Sequence, residues 1–565
     1  MSHRATLQTT AERSRLMARV RQTGTWPEVA VQEMIRSLGW RFTVRVTDLP
    51  GTPDVANKTQ RWAIFVHGCY WHAHNCHLWK VPSANKEFWK QKFRANQERD
   101  SRKLKELRKL GYSCLTIWQC ELRNPPRTKR KLLKFLSRTS SQNGRVKISD
   151  TSLSRDHVVP SYALNVNSQF VSCLVSIGEK SFETKYKIPH GVSVKQDARS
   201  IFDQVFLRGY QPLVQPSSGG TLRTADLFSG CGGLSLGVRE ASVAMGKKFE
   251  SVFALDSDEA SLSVYKKNFS PSYALSEDVW SILTGKIGDS LQPEERSLLK
   301  KIGSIDVCLA GPPCQGHSDL NNHTRRDDKR NHLYERVARF AEVACPSHVI
   351  IENVPTIVHG KDRALDKTLA HLEQLGYKVD AGIIDLTLLG VPQRRKRHVV
   401  VATGRSLSIE KIVKSYKVSK ERTVRWAIAE LAKKSPVALF DSPSVLTKEN
   451  EKRIEYLMKT GTYDLPNRLR PLCHRDDHSY VSMYGRLSYD QPAQTITSGF
   501  GSPGQGRYIH PTQRRTLTPH EAARLQFFPD SFDFSPVGLR TALANMIGNA
   551  VPMLLTFVLC WAILL

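Results

Sequence analysis

The chain has 565 residues with 83 Lys+Arg against 53 Asp+Glu, a formal net charge of +30 and a pI near 9.8. That length allows two or three domains with sizeable cores, and so large a basic excess points to a polyanionic partner, nucleic acid foremost. Eleven cysteines at irregular spacing, with no signal-peptide pattern, argue against a disulfide-stapled secreted fold and for a reducing compartment where thiols serve metals or catalysis.

Taken in chain order, residues 1–139 hold 28 Lys+Arg and 10 Asp+Glu, a local net of +18. Pro53-Asp54 leads into an expected strand at residues 62–66, an arrangement that presents a carboxylate to a divalent metal in many nucleases. The Glu-x-Lys that usually follows on that strand is missing, and Phe65-Val66-His67 stands in its place. A dense cluster comes next: His67, Cys69, Tyr70, Trp71, His72, His74, Cys76 and His77. Cys69, His74 and Cys76 supply three metal ligands and distant Cys120 a fourth, a set that suits a closed structural zinc site. His72 is then left over for acid–base work. Tyr70 and Trp71 are candidates to wedge between base pairs.

The segment from Arg13 to Arg123, through Phe65 to Cys76, Lys86 to Asp100 and Trp118-Gln119-Cys120, resembles the very-short-patch repair (Vsr) endonucleases. The resemblance implies magnesium at Asp54, catalysis by His72 with His67 beside it, an acidic supporting residue at Glu28, and zinc on Cys69, His74, Cys76 and Cys120. Such enzymes nick beside thymine in a T·G mismatch.

Ser140-Ser141-Gln142-Asn143-Gly144 reads as a linker, and Pro216-Ser217-Ser218-Gly219-Gly220 as a second. Between them a strand at 170–175 and a helix at 198–207 are expected. Residues 140–220 are therefore a linker or small domain of unknown role.

From residue 221 to 565 strands and helices alternate as in a doubly wound sheet. A strand at 222–227 runs into Phe228-Ser229-Gly230-Cys231-Gly232-Gly233, a turn that lets a nucleotide-like ligand approach the backbone. The strand at 251–255 ends in Asp256, placed to meet ribose hydroxyls, and Asp278 follows a third strand within reach of an adenine amine. Another strand, 305–310, delivers Gly311-Pro312-Pro313-Cys314-Gln315-Gly316, a stiff loop that holds a sulfur at the crevice. Glu352 ends a further strand on the same edge. A thiolate beside a carboxyl suits covalent attack on an electron-poor ring with protonation of a ring nitrogen. Arg395 and Arg397, two positions apart on an extended segment, can face the same ligand. The apolar run 553–565 is shorter than the roughly 20 residues of a bilayer span and reads as a buried helix.

The order of these segments resembles the DNA (cytosine-5)-methyltransferase family. It includes Asp226 to Gly233, Pro312-Pro313-Cys314-Gln315, Glu352-Asn353-Val354, Gln393 to Arg397, Thr495-Ile496-Thr497, Arg515 to Leu525 and Ile547 to Pro552. The resemblance implies that Cys314 attacks carbon 6 of cytosine, that Glu352 serves ring nitrogen 3, and that Arg397 with Arg395 holds the base and nearby backbone. It also implies S-adenosyl-L-methionine over Asp226, Phe228, Gly230, Gly232 and Pro312, with Asp256 on the ribose, Asp278 on the adenine, and Asn549 and Val551 closing the pocket. Ser257 departs from the bulky residue usual after the ribose acid. Residues from about 404 to 489 correspond to the target-recognition region, with Arg468, Arg470, His474 and Arg475 as candidate readers.

Together these readings predict an α/β protein: a Vsr-like domain with a zinc site, then a Rossmann-like methyltransferase with a small recognition region. The expected activity is methylation of cytosine carbon 5 in a specific sequence plus nicking of T·G mismatches. The alternatives are a restriction–modification fusion, or a methyltransferase with an inactive nuclease domain. The expected partner is double-stranded DNA with a flipped base, bound by a soluble bacterial-type cytoplasmic, nucleoid-associated monomer with no membrane contact.

Overall fold

A computed structural model of the chain describes residues 25–37, 40, 42–74, 76, 86–123, 128, 131–132, 135–136, 159–165, 169–177, 180–189, 192–209, 216, 220–313, 332–359, 363–436, 438–475 and 482–564. They form two compact units, one chiefly from residues 1–151 and the other chiefly from 152–565.

The first unit contains helix α1 (Trp26–Ser37), strands β1 (Thr43–Val44), β2 (Val55–Asn57) and β3 (Trp62–His67), helix α2 (Lys86–Lys109) and strand β4 (Ser113–Trp118). The sheet order is β1-β2-β3-β4, with β3 and β4 parallel. Successive side chains of a strand point to opposite faces, so β3 serves two cores. Trp62 and Ile64 pack with Val31 and Ile35 of α1, whereas Ala63 and Phe65 pack with Leu107 of α2. Along α2 only Phe93 and Leu107 are buried, which leaves most of this basic helix in solvent.

The second unit opens with β5 (Ser161–Asn165), β6 (Phe170–Ile177), β7 (Lys180–Lys187) and α3 (Ala198–Arg208). The three strands form an antiparallel sheet in sequential order. The segment is more than a linker, because Val171, Cys173, Val175, Ile201 and Val205 belong to the same hydrophobic core as the residues that follow. Next come β8 (Thr221–Leu227), α4 (Gly233–Ala244), β9 (Lys248–Asp256), α5 (Glu259–Phe269), β10 (Tyr273–Ser276), β11 (Val307–Ala310), β12 (His348–Asn353), β13 (Lys378–Asp385), β14 (Gln393–Arg394) and β15 (Lys396–Thr403).

Seven of these strands form one sheet in the order β10-β9-β8-β11-β12-β15-β13. Every neighbouring pair from β10 to β12 is parallel, and β15 runs antiparallel to both of its neighbours. The chain leaves β8 toward β9 and β10, then returns to place β11 on the other side of β8. Ligand crevices open at such a reversal, beyond the carboxyl ends of the strands. β11 is buried along its whole length, as an apolar strand covered on both faces should be.

Helix α6 (Lys448–Thr460) lies in the stretch expected to read the target, and α7 (Arg540–Asn549) and α8 (Leu554–Ile563) follow. By length and composition Arg540–Ile563 passes for a membrane span, but 89% of its window is buried inside the fold.

Candidate active sites

The glycine loop joins β8 to α4 through a backbone that ordinary side chains rarely adopt. Phe228 has φ +59°, Gly230 +54° and Gly232 +99°. At Gly232 a Cβ would lie 2.3 Å from Phe269, and at Gly233 it would lie 2.4 Å from Val551 O, so neither position tolerates a side chain. Gly230, by contrast, faces open space. Asp256 Oδ2 accepts from Gly230 N at 2.7 Å and its Oδ1 from Asp258 N at 2.8 Å, which locks the end of β9 to the loop. Burial raises the pKa of Asp256. Asp226 is 1% exposed, and its Oδ2 accepts from Ser235 Oγ at 2.6 Å. Its Oδ1 is buried with no partner, and burial pushes the acid up to about 7.

A cleft of about 1150 Å³ brings together Phe228, Gly230, Asp256, Pro312, Glu352, Arg395, Arg397, Asn549 and Val551. Asp226 and Gly232 stand behind this lining, and Asp278 caps the short helix Val279–Ile282 through Trp280 N at 3.0 Å. Pro312 and Pro313 form part of the wall, whereas Cys314 lies outside the described residues. Asn353, next to Glu352 at the end of β12, has a structural role that its sequence position does not reveal. Its Nδ2 donates to Pro312 O at 3.1 Å, so the end of β12 fixes the proline loop.

Glu352 is 6% exposed and sits 2.6 Å from Arg397 Nε through its Oε1. Burial raises its pKa, opposed by the charges of Arg397 and then Arg395. Such a carboxyl can carry a proton at higher pH than an ordinary glutamate. Both arginines line this cleft, as their spacing allows, but they are held differently. Arg395 is 2% exposed and donates to Ile496 O at 2.8 Å and Gly548 O at 3.3 Å, bracing the β14–β15 corner with its guanidinium. The proposed readers divide similarly. Arg470 is buried on Leu465 O, and Arg475 donates to the carbonyls of Arg470 and Arg468, while Arg468 itself is exposed.

In the first unit Asp54 precedes β2, and its Oδ2 accepts from Val66 N at 2.7 Å. Burial pushes this carboxyl up to about 6; Val66 N opposes that shift and the Glu28 carboxylate adds to it. Glu28 Oε1 accepts from Thr25 Oγ1 at 2.7 Å. His67 and His72 stack with ring centres 3.9 Å apart and planes 6° from parallel. His72 Nδ1 lies 2.5 Å from Asp100 Oδ2, and burial followed by the nearby His72 lowers the His67 pKa to about 4.

Asp100 is the residue that sequence reasoning missed here. Phe93, Asn96, Gln97 and Asp100 share one face of α2 by helical spacing. From that face Asn96 donates to Trp71 O at 2.9 Å and Gln97 to His72 O at 3.3 Å. The same face receives Tyr70, whose ring meets Phe93 at 5.7 Å and Trp89 at 6.0 Å, and Trp71 also contacts Trp89. The ligand atoms of Cys69, His74, Cys76 and Cys120 all lie within 4.8 Å of one another, a separate group from His67, His72 and Asp100. This soft, convergent donor set fits a tetrahedral metal. His77 lies outside the described residues.

Comparisons with known proteins agree with this division. Residues 222–564 match the C-5 cytosine-specific DNA methylase family, and residues 5–78 match the DNA mismatch endonuclease Vsr family. The type II methyltransferase M1.BsuMI of Bacillus subtilis is 47% identical over 340 residues, covering 60% of this chain and 79% of its own. The type II methylase M.HgiDII of Herpetosiphon aurantiacus is 30% identical over 341 residues, covering 58% of this chain and 91% of its own. The type II nicking enzyme V.XorIIP of Xanthomonas oryzae pv. oryzae is 43% identical over 107 residues, covering 19% of this chain and 79% of its own. The chain is thus an enzyme of the C-5 cytosine-specific DNA methylase family that carries a Vsr endonuclease domain in its N-terminal region.

Proposed function

We propose that the second unit transfers a methyl group to carbon 5 of cytosine within one specific DNA sequence, and that the first unit nicks T·G mismatches left by deamination of that product. The observation that carries the methyl-transfer reading is the buried Glu352–Arg397 pair, set in one cleft with the proline loop and the glycine loop. S-adenosyl-L-methionine supplies the methyl group when bound; Phe228, Gly230, Asp256, Asp278, Asn549 and Val551 would hold it, backed by Asp226 and Gly232.

The target base is flipped out of the duplex, since the reacting carbon is otherwise buried in the stack. The Cys314 thiolate bonds to carbon 6 while Glu352 delivers a proton to ring nitrogen 3, and the electron pair of the 5,6 double bond becomes available at carbon 5. After methylation the carbon-5 proton is lost to water and the nitrogen-3 proton returns to Glu352, which expels the thiolate and restores the ring. Arg397 holds Glu352 and the base side of the cleft, while Arg395 braces the corner that carries Arg397.

In the first unit, magnesium at Asp54 supplies Lewis-acid chemistry at the scissile phosphate when bound. His72, oriented by Asp100 and stacked on His67, moves the proton, and Glu28 supports the acidic side. Cys69, His74, Cys76 and Cys120 would hold a zinc ion that fixes the loop, and Tyr70 and Trp71 open the duplex. The protein works as a soluble monomer in the bacterial cytoplasm, on nucleoid DNA and without membrane contact. Purified protein should methylate one motif and nick a T·G duplex. Cleavage of the matched, unmethylated motif would replace the repair reading with a restriction–modification fusion.

A further inference from the structure

The methylase family match begins at residue 222, yet α3 (Ala198–Arg208), which precedes it, is bonded to the corner that carries Arg395 and Arg397. Arg199 Nη2 donates to Leu389 O at 3.0 Å and its Nη1 to Tyr416 O. Asp203 pairs with Arg422, whose Nη1 donates to Gly390 O at 3.0 Å. Leu386–Leu389 form a 3₁₀ turn capped by Gly390, and the amide of Leu386 donates to Arg395 O at 2.9 Å. Two residues further on, Arg397 holds Glu352. Gly390 permits this approach because its φ is +100°, and a Cβ there would lie 2.6 Å from Arg422. The same helix grips the chain where it enters the recognition region: Gln204 Nε2 donates to Trp426 O, and Trp426 Nε1 to Ser200 Oγ, both at 2.9 Å.

Side-chain exposure is 8% for Asp203 and 3% for Arg422. A buried ion pair of this kind gives little stability over apolar side chains of equal volume. It does impose direction, because the planar fork of arginine accepts few placements of carboxylate and carbonyl. Helix α3 therefore contributes geometry at the Leu386–Gly390 turn beyond what core packing alone requires.

We propose that α3 is a positioning element of the methyltransferase: Arg199, and Asp203 through Arg422, hold the Leu386–Gly390 turn so that Arg397 meets Glu352 during reaction. This rests on the reading of Glu352 and Arg397 given above. The segment ahead of the family match is then a working part of the second enzyme, although neither Arg199 nor Asp203 is a catalytic residue.

The test uses the full chain. Arg199→Met keeps the aliphatic packing and removes both carbonyl contacts together with the 3.8 Å pairing of Arg199 Nε to Asp203 Oδ2, and Asp203→Asn with Arg422→Met removes the buried pair and takes the carboxylate from Arg199 as well. In each, kcat for methylation is expected to fall about tenfold to a hundredfold, with KM for DNA and cofactor and the melting temperature near wild type. Arg199→Lys, which keeps the charge but cannot fork to two carbonyls, should restore part of kcat. Wild-type kcat in both variants, alongside an impaired Arg397→Met, overturns the positioning role alone. Parallel losses of kcat, affinity and melting temperature overturn it in favour of general scaffolding. Normal methylation by Arg397→Met removes the reading of Glu352 and Arg397, and the proposal falls with it.

Discussion

Arg397 Nε lies 2.6 Å from Glu352 Oε1, with side-chain exposures of 12% and 9%. Burial raises the Glu352 pKa more than the two arginines lower it. Only the protonated acid can donate to a ring nitrogen, so single-turnover methylation should fall as pH rises through that raised pKa. Arg397→Met removes the largest opposing charge, pushes Glu352 further up, and moves the falling limb to higher pH. Glu352→Gln should abolish the limb and lower the rate by about a hundredfold or more. A limb that stays in place in Arg397→Met would show that the pair is not electrostatically coupled.

Cys314→Ala should eliminate methylation and leave cofactor affinity near wild type, because in the proposed mechanism the thiolate bonds to the base and does not hold the cofactor. A duplex with 5-fluorocytosine at the target should trap the wild type covalently, since fluorine cannot leave carbon 5 as a proton does. Denaturing electrophoresis reads the adduct, and methylation above a trace in the variant would refute the assignment.

Asp226 gives a stability prediction with a defined sign. Its folded pKa is about 7, above the unfolded value of roughly 4. The native state therefore binds more protons across that window, and stability falls as pH rises from roughly 4 to 7, then levels off. Asp226→Asn keeps the shape and the acceptor for Ser235 without the charge. Its melting temperature should match or exceed wild type near pH 8, with the advantage fading near pH 4. Parallel melting curves across that range would mean the carboxyl is not held neutral.

The four-ligand group predicts about one equivalent of zinc per chain by elemental analysis. Cys120→Ser should lose that metal and lower the first melting transition, since a structural ligand is coupled to folding. A metal-free chain of unchanged stability would remove the site.

Asp54→Ala and His72→Ala should each stop nicking while methylation continues. Asp100→Asn should slow nicking about a hundredfold by releasing His72 from its partner. On the proposed function the nuclease should also prefer T·G within the methylated motif, where deamination of 5-methylcytosine would leave the lesion. Placing the mismatch inside and outside a mapped motif measures this, and equal nicking in both contexts would point to a non-specific nuclease.

Much of this was legible in the sequence because parallel strands buried on both faces appear as short apolar runs. The strand expected at 222–227 is observed as Thr221–Leu227, and the helix expected at 198–207 as Ala198–Arg208. Strand β7 escaped notice because its alternation of Lys, Ser, Phe, Glu, Thr, Lys, Tyr and Lys buries only one modest face. Asp100 was hidden within a run of charges on α2, where its role depends on the facing loop and not on its neighbours in sequence. The two tasks of Arg395 and Arg397 were equally hidden. Both line the cleft, and only the folded chain shows Arg395 bonded to the carbonyls of Ile496 and Gly548 and Arg397 paired with Glu352.

The contact between Gly233 and Val551 has a consequence for how the protein is made. Thr556 Oγ1 donates to Leu234 O across a separation of 322 residues, and a Cβ on Gly233 would strike the Val551 carbonyl. The glycine loop is thus completed by chain that leaves the ribosome long after the loop itself. Units whose contacts are nearer in sequence can fold earlier during synthesis, and the His72–Asp100 pair spans only 28 positions. A message cut short before residue 551 would therefore yield a protein carrying His72 and Asp100 and lacking the Val551 wall of the cleft.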